Sequence, residues 1–583
     1  MNMYIRMLML VGLSLLITNL YAQETSDNDV EELVIKGKVL QADQVAALKT
    51  PVPVIDVPQT VSIFTDEDIK RQGFREIGDL IRYTPGVNTS QGEGHRDTVV
   101  FRGVRSTADF FQDGLRDDVQ YYRSLYNVEQ VEILRGPNAL LFGRGGTGGI
   151  INRVSKKAMI GEDFRSIDLG TDTFGSFDLA ADVNIAAAPN SALRLNIHTD
   201  SLANHRDFYD GERFGINPTL RVKLDDKTTI DLSYEYADHE RFIDRGIPTL
   251  NGVPDESLKD IVFGEEGVNI QTLEASIFRA NLDHRMNENQ KVVVSMQSSS
   301  FEKFYQNYYA SGYDGTLVTM DGYSDPTERD NFMFSANFIS EFDSAFLNGF
   351  AKHTFIIGAE AIDTDNKNFR YNTFWSTTED DNEVFNVTNP MNFSINSAGL
   401  ATSNDFTADL NNSTTSAISV TSLFVQDQID LTENFKVMLG ARFDNFDISV
   451  NDVLSSNVTS KVDENISPRM GLVYKPNENM SVYYSYSESF LPRSGEQFKK
   501  LKESDSRLDA DVFENTEFGL KWALNDNLSL TASMFDSEQV RATRDSDTGE
   551  TSEVIGLTVE GFEIELKGQL SERLSVLAGY SAL

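Results

Sequence analysis

Three glycines in the stretch VEILRGPNALLFGRGGTGGIINRVSKK, Val131 to Lys157, have the spacing of a phosphate cradle: Gly143-x-Gly145-x-x-Gly148. Asp163 lies about where a dinucleotide-binding unit places the carboxylate that takes a ribose hydroxyl. The chemistry would be hydride transfer with a nicotinamide cofactor. It requires a helix directly after the glycines, because the pyrophosphate sits on a helix N-terminus. The glycines lead instead into Gly149-Ile150-Ile151-Asn152-Arg153-Val154, a β-branched run that reads as a strand. Other chemistries find little support. The 583 residues contain no cysteine, so thiolate nucleophiles, disulfides and thiolate metal sites are excluded. The six histidines are scattered, without an HExxH spacing or a close pair. No Ser-His-Asp order and no paired acids stand out. The chain is therefore read as a non-enzyme, with no catalytic residues, no metal ligands and no cofactor.

Two regions of different pattern must position whatever the chain does. From Pro51 to Met159 the sequence is mixed. Thr65 precedes Glu67 and Asp68 as the cap of a helix, and a second short helix around Ile77 to Tyr83 stops before Pro85-Gly86. Val99-Val100-Phe101 and Val131-Glu132-Ile133-Leu134 read as strands, giving a small α+β domain. From residue 160 onward the period is two. Leu193, Leu195 and Ile197 alternate with Arg194, Asn196 and His198, and Leu528, Leu530, Ala532 and Met534 alternate with Ser529, Thr531 and Ser533. Short polar turns recur at 431–435, 475–479, 524–528 and 570–574, with earlier ones near Pro189, Asp225, Asn287 and Phe346. Short turns at one end and long loops at the other describe an up-and-down membrane barrel. The predicted fold class is an all-β transmembrane barrel, antiparallel, with an N-terminal α+β plug in its lumen. About 17 strands are counted where plugged transporters have about 22. The barrel, 160–583, is thus expected to be incomplete at its C-terminal end and to have an open edge.

The N-terminus reads as a signal peptide, residues 1–22: Arg6, an apolar stretch from Met7 to Ile17, then Leu20-Tyr21-Ala22. A mean hydropathy of -0.33 does not argue against a membrane barrel, whose strands alternate lipid-facing and lumen-facing residues. The net charge of -39 argues against nucleic acid as a partner.

A mixed globule followed by a large barrel resembles the TonB-dependent receptors of the Gram-negative outer membrane. VEILRGP and LFGRGGTGGIIN stand in the order found at the end of that family's plug. VVFRGVR (Val99 to Arg105) and FQDGLRDD (Phe111 to Asp118) resemble other plug signatures. Glu31, Glu32, Leu33, Val34, Ile35, Lys36 and Gly37, in a periplasmic tail spanning 23–50, resemble the TonB box. Within the family, EGHRDT (Glu93 to Thr98), FIDRGIPTLNG (Phe242 to Gly252) and ESFLPRSGEQF (Glu488 to Phe498) resemble receptors for ferric siderophores, the catecholates especially. The haem-receptor signature is absent, and the tail is too short for an extra signalling domain. The glycine run then has a different task, letting the plug backbone turn and pack closely inside the barrel.

The resemblance implies import of a ferric siderophore. The iron is carried as a chelate and not by protein ligands, and the receptor is expected to act as a monomer in outer-membrane lipid with TonB as partner. Cobalamin, an oligosaccharide or another metal chelate is the alternative cargo. An anionic aromatic complex calls for arginines and aromatic faces. The candidates are Arg96, Arg105, Phe110, Phe111, Tyr121, Tyr122 and Arg123 in the plug, with Arg245, Tyr308, Tyr309, Trp375 and Arg493 in barrel loops. The resemblance also implies two plug arginines held by two barrel glutamates, at Arg102, Arg135, Glu517 and Glu563. Period two puts Glu517, Gly519 and Lys521 on one face and Phe518, Leu520 and Trp522 on the other.

Overall fold

The computed structural model describes residues 40, 45–50, 52–90, 92–346, 349–544 and 551–583, which fall in one compact unit, Lys38–Leu583. Glu31 to Lys36, the residues expected to form a TonB box, and the expected signal peptide, 1–22, lie outside the described residues.

The alternating segments form strands, and their apolar face is the outer one. In Ser191–Ala203, Arg194 and Asn196 are buried while Leu193 is exposed. In Leu528–Arg544, Ser529, Thr531 and Ser533 point in and Met534 is 65% exposed. Phe518 and Trp522 are likewise exposed, against buried Glu517 and Lys521. This inside-out pattern, polar lumen and apolar belt, fits a lipid solvent. No described helix is long and apolar enough to cross a membrane. Strands run consecutively from Phe164–Thr171 to Leu574–Ala582, each antiparallel to its sequence neighbour. A further short strand, Glu383–Asn386, pairs with the outer end of Leu317–Phe346. At about 3.3 Å per residue, the 30 residues of Leu317–Phe346 reach well beyond the bilayer on the long-loop side.

Among the described residues the pairing runs from strand to strand between Phe164–Thr171 and Leu574–Ala582, and no register joins those two end strands to each other. The strands are twisted and tilted, so the sheet curls back on itself. Setting aside Glu383–Asn386, seventeen strands alternate in direction. The first and the last therefore run the same way.

The lumen holds the N-terminal domain. Its central sheet joins Val61–Thr65, Val128–Arg135, Gly149–Ser155, Phe110–Gln112 and Leu115–Arg116 in that order. A second sheet joins Val87–Ser90, Thr98–Phe101 and Val104–Ser106. Thr65 caps the Asp66–Gln72 helix through a box in which Asp68 N donates to Thr65 Oγ1 at 3.2 Å and Thr65 N to Asp68 Oδ2 at 3.2 Å. The second helix is Ile77–Ile81, shorter than expected, because Tyr83 N and Thr84 N donate to the carbonyls of Leu80 and Ile81 in three-residue turns. Where plug meets wall, the wall thins: a Cβ on Gly579 would fall 2.1 Å from Pro85 Cγ.

The glycine run is explained in the same terms. Gly143 and Gly145 have φ of 69° and 75°, so they turn the chain as other residues rarely do. A Cβ on Gly148 would stand 2.7 Å from the Phe101 carbonyl oxygen. The strand Gly149–Ser155 comes next, as the β-branched run predicts, and no helix is there to face a pyrophosphate. Gly148→Ala should cost about 1–3 kcal/mol through overpacking. The check is protease sensitivity of the plug in the purified receptor, with Gly78→Ala, whose Cβ would meet only Thr89 Oγ1 at 4.0 Å, as a control for the added methyl.

Candidate functional site

Two polar sites lie between plug and barrel, at different depths. The deeper one starts from the tight turn at Arg102-Gly103, whose φ values of 46° and 82° suit a two-residue hairpin between Thr98–Phe101 and Val104–Ser106. A non-glycine residue in this region carries strain of order 1 kcal/mol, and here the turn aims a guanidinium at the wall. Arg102 Nη1 lies 2.7 Å from Glu517 Oε2, and its Nε donates to Glu563 Oε1 at 2.8 Å. Arg135 Nη1 is 3.3 Å from Glu563 Oε2, and its Nη2 is 3.5 Å from Glu565 Oε2. Glu517 Oε1 also accepts from Thr60 N at 2.9 Å, Thr60 Oγ1 at 2.7 Å and Tyr483 OH at 2.6 Å. Arg102, Arg135, Glu517 and Glu563 are each 2% exposed or less. Charges so enclosed are tolerable only when paired, and removing one partner of such a pair costs about 3–5 kcal/mol. Glu565 is the member that the family pattern does not point to. It lies two residues beyond Glu563, on the same lumen face.

The shallower site lies at the long-loop end, where Glu93 to Asp97 of the plug meets the outer halves of three strands and two loops. Arg96 Nη1 is 2.6 Å from both Glu93 Oε2 and His95 Nε2. Lys303 Nζ donates to His95 Nδ1 at 2.8 Å, and the His95 ring stacks on Tyr305 at 3.8 Å between centroids. Burial, then the Lys303 charge, hold His95 well below the ordinary imidazole range, so Nδ1 is free to accept. Tyr305 OH donates to Asp325 at 2.7 Å, which also takes Arg370 Nε at 2.6 Å and Lys499 Nζ at 3.1 Å. Arg245 Nη1 donates to Tyr323 OH at 2.9 Å and lies 4.2 Å from the Tyr309 ring centre, while Arg370 covers Tyr323 at 4.1 Å. Arg96, Arg245, Arg370 and Lys499 outnumber Glu93, Asp321 and Asp325 here, so the cluster is cationic although the chain is acidic. Arginines on tyrosine faces can hold an anionic, aromatic guest.

The other expected ligand residues are placed elsewhere. Phe110 and Phe111 are 1% exposed in the plug core. Arg123 is fully buried, with Nε on Asp117 Oδ2 at 2.9 Å and Nη2 on the carbonyls of Asp117 and Val119, and Tyr121 OH donates to Asp117. Tyr122 lies under Arg241, 4.0 Å from ring centre to guanidinium. Trp375 and Tyr308 stack at 5.3 Å within an apolar cluster that includes Phe385 and Phe393 and binds the long loops together. Arg493 pairs with Asp511 at 2.8 Å, and Arg105 is exposed on Val104–Ser106. Lys303, Tyr305, Tyr323, Arg370 and Lys499 are cup residues that sequence reasoning missed. Their one signal was the aromatic-basic mixture at the outer ends of strands.

A curved antiparallel sheet with an apolar belt, wrapped around an N-terminal domain that is ion-paired to its inner wall, has the architecture of a plugged transmembrane β-barrel. The chain belongs to the TonB-dependent receptors, a family of transport receptors rather than enzymes. Residues 209–582 match the family described as TonB dependent receptor-like, beta-barrel, and residues 53–150 match the TonB-dependent Receptor Plug Domain. Among curated relatives, the probable TonB-dependent siderophore receptor PiuA of Acinetobacter baumannii is 25% identical, covering 98% of this chain and 81% of its own. The catecholate siderophore receptor Fiu of Escherichia coli K12 is 25% identical over 96% and 79% of the two chains. The ferrioxamine B receptor of Salmonella typhimurium is 24% identical over 96% and 78%. The crystal structure of PiuA superposes with a TM-score of 0.84 at 24% identity, covering 94% of this chain and 82% of that one. The closed form of Fiu gives 0.77 at 20% identity over 93% and 82%.

Proposed function

We propose that this receptor captures a ferric siderophore from outside the cell in the cup around Arg96, Arg245 and Arg370 and delivers it to the periplasm, using energy that TonB transmits from the inner membrane. The observation that carries the reading is the cluster itself: Arg245 and Arg370 lie on the faces of Tyr309 and Tyr323 beside Arg96 of the plug, in a chain whose net charge is -39. A catecholate-type chelate, anionic and aromatic, suits that lining. The named relatives support a siderophore over cobalamin or an oligosaccharide, since PiuA, Fiu and the ferrioxamine B receptor are all siderophore receptors by name. Residues 1–22 are read as a signal peptide and 31–37 as the TonB box. The mature protein is read as an outer-membrane monomer without enzymatic activity, carrying iron only as its chelate.

The test is binding of a ferric catecholate and a ferric hydroxamate to purified receptor by tryptophan fluorescence quenching, with Arg245→Ala and Arg370→Ala. Each substitution should weaken catecholate binding about 10- to 100-fold, the effect of one charged contact of about 1.4–3 kcal/mol. Undiminished affinity in both variants would remove the cup from the binding site.

A further inference from the structure

Asp325 places a carboxylate inside a cluster whose cations are suited to anions. It comes from the outer half of Leu317–Phe346 and joins two cations that the chain delivers from separate elements. Arg370, from Gly349–Asn372, grips it with Nε on Oδ1 and Nη2 on Oδ2, both at 2.6 Å. Lys499, from the loop after Met480–Leu491, donates to Oδ2 at 3.1 Å, and Tyr305 OH donates to the same oxygen at 2.7 Å. The Asp325 side chain is 1% exposed, whereas those of Arg370 and Lys499 are 37% and 29% exposed. The carboxylate therefore lies behind the two cations, and a guest arriving from solvent meets the cations first.

A fixed negative charge behind two positive ones lowers their attraction for any anion in front of them. In the empty receptor it supplies the counter-charge without which Arg370 and Lys499 would stand side by side unpaired. It also bears on the choice of guest. The four cations Arg96, Arg245, Arg370 and Lys499 against the three carboxylates Glu93, Asp321 and Asp325 leave a formal surplus of one positive charge, and without Asp325 the surplus is two. A surplus of one holds a small inorganic anion weakly. A chelate with aromatic rings gains a further contact that phosphate lacks, stacking on the Arg245 and Arg370 guanidiniums. Selectivity of this kind comes from weakening the wrong partner as much as from holding the right one.

We propose that Asp325 is a specificity-determining residue that keeps the Arg370–Lys499 pair from holding small anions such as phosphate, so that a highly charged aromatic chelate is chosen over them. The inference rests on the cluster being the siderophore site. The test is Asp325→Asn in the purified full-length receptor. A ferric tris-catecholate, triply negative, and a ferric tris-hydroxamate, neutral, are titrated by fluorescence quenching at constant ionic strength, with and without inorganic phosphate as competitor.

In Asp325→Asn, phosphate should compete about tenfold more strongly than in wild type, and the phosphate-free Kd of the catecholate should fall about tenfold, while that of the neutral hydroxamate stays within about twofold. Asp325→Glu keeps the charge and should match wild type toward phosphate. Asp325→Asn with Lys499→Gln returns the surplus to one and should bring phosphate competition back to within about threefold of wild type. Unchanged phosphate competition in Asp325→Asn overturns the proposal. Equal weakening of both chelates in that variant also overturns it, because Asp325 would then only hold its neighbours in place. The wild-type receptor decides the matter even if the variants do not fold, since catecholate binding that millimolar phosphate suppresses contradicts the proposed exclusion. A wild-type receptor that binds neither chelate would instead overturn the siderophore reading.

Discussion

Glu517→Gln combined with Glu563→Gln should loosen the plug in the barrel and turn the receptor into a leaky pore. The two carboxylates between them face both guanidiniums, Arg102 through Glu517 and Glu563 and Arg135 through Glu563. All four side chains are enclosed. Neutralising the acids strands Arg102 in a low-dielectric interior and leaves Arg135 its 3.5 Å contact with Glu565 as the one carboxylate partner among the described residues, beside its hydrogen bonds to the Pro85 carbonyl and Ser62 Oγ. Breaking one buried pair costs about 3–5 kcal/mol. The pairs share Glu563, so their losses need not add. Even one such loss is a large part of the stability of a typical domain, about 5–15 kcal/mol. The readouts are single-channel conductance in planar bilayers and sensitivity of cells to large hydrophilic antibiotics. Adding Arg102→Met and Arg135→Met to the double variant should restore much of the seal, because the cost lies in unpaired charge and not in missing attraction. A double variant as tight and as active as wild type would show that these pairs do not hold the plug.

The second large effect is expected at the TonB box. Val34→Pro should abolish energised uptake, by more than 100-fold, while leaving surface binding of the chelate unchanged. An extended peptide that adds to a partner's sheet binds mainly through main-chain hydrogen bonds. Proline removes one donor and forces the residue before it away from other conformations. The change alters none of the cup residues. Uptake and binding of labelled chelate in the same cells separate the two steps. Equal uptake in the variant would place the TonB contact outside 31–37.

Much of the architecture was legible because barrel physics is local. Period-two alternation at Leu528–Met534 marks a strand wherever it sits, and Gly149–Val154 after the glycines marked a strand and no helix. The inward face of Glu517 and Lys521 comes from the same period. What Lys521 touches does not, since its partners Val54 and Val57 lie more than 450 positions earlier in the chain and meet it only through the docking of plug in barrel. The same holds for Glu565. The cup shows the opposite difficulty. Arg123 and Tyr121 looked available as loop residues, but Asp117, only a few positions away, draws both inward. Trp375 looked like a ligand platform, whereas the loops needed it for their own apolar core.

The most direct test of the central claim is uptake of radiolabelled iron in an iron-starved, receptor-deficient strain expressing this receptor, with catecholate and hydroxamate chelates supplied in turn, with and without TonB. The account predicts uptake of at least one chelate, a catecholate first, that disappears when TonB is absent. A receptor present in the outer membrane that carries no iron chelate under these conditions, or carries one equally well without TonB, would contradict it.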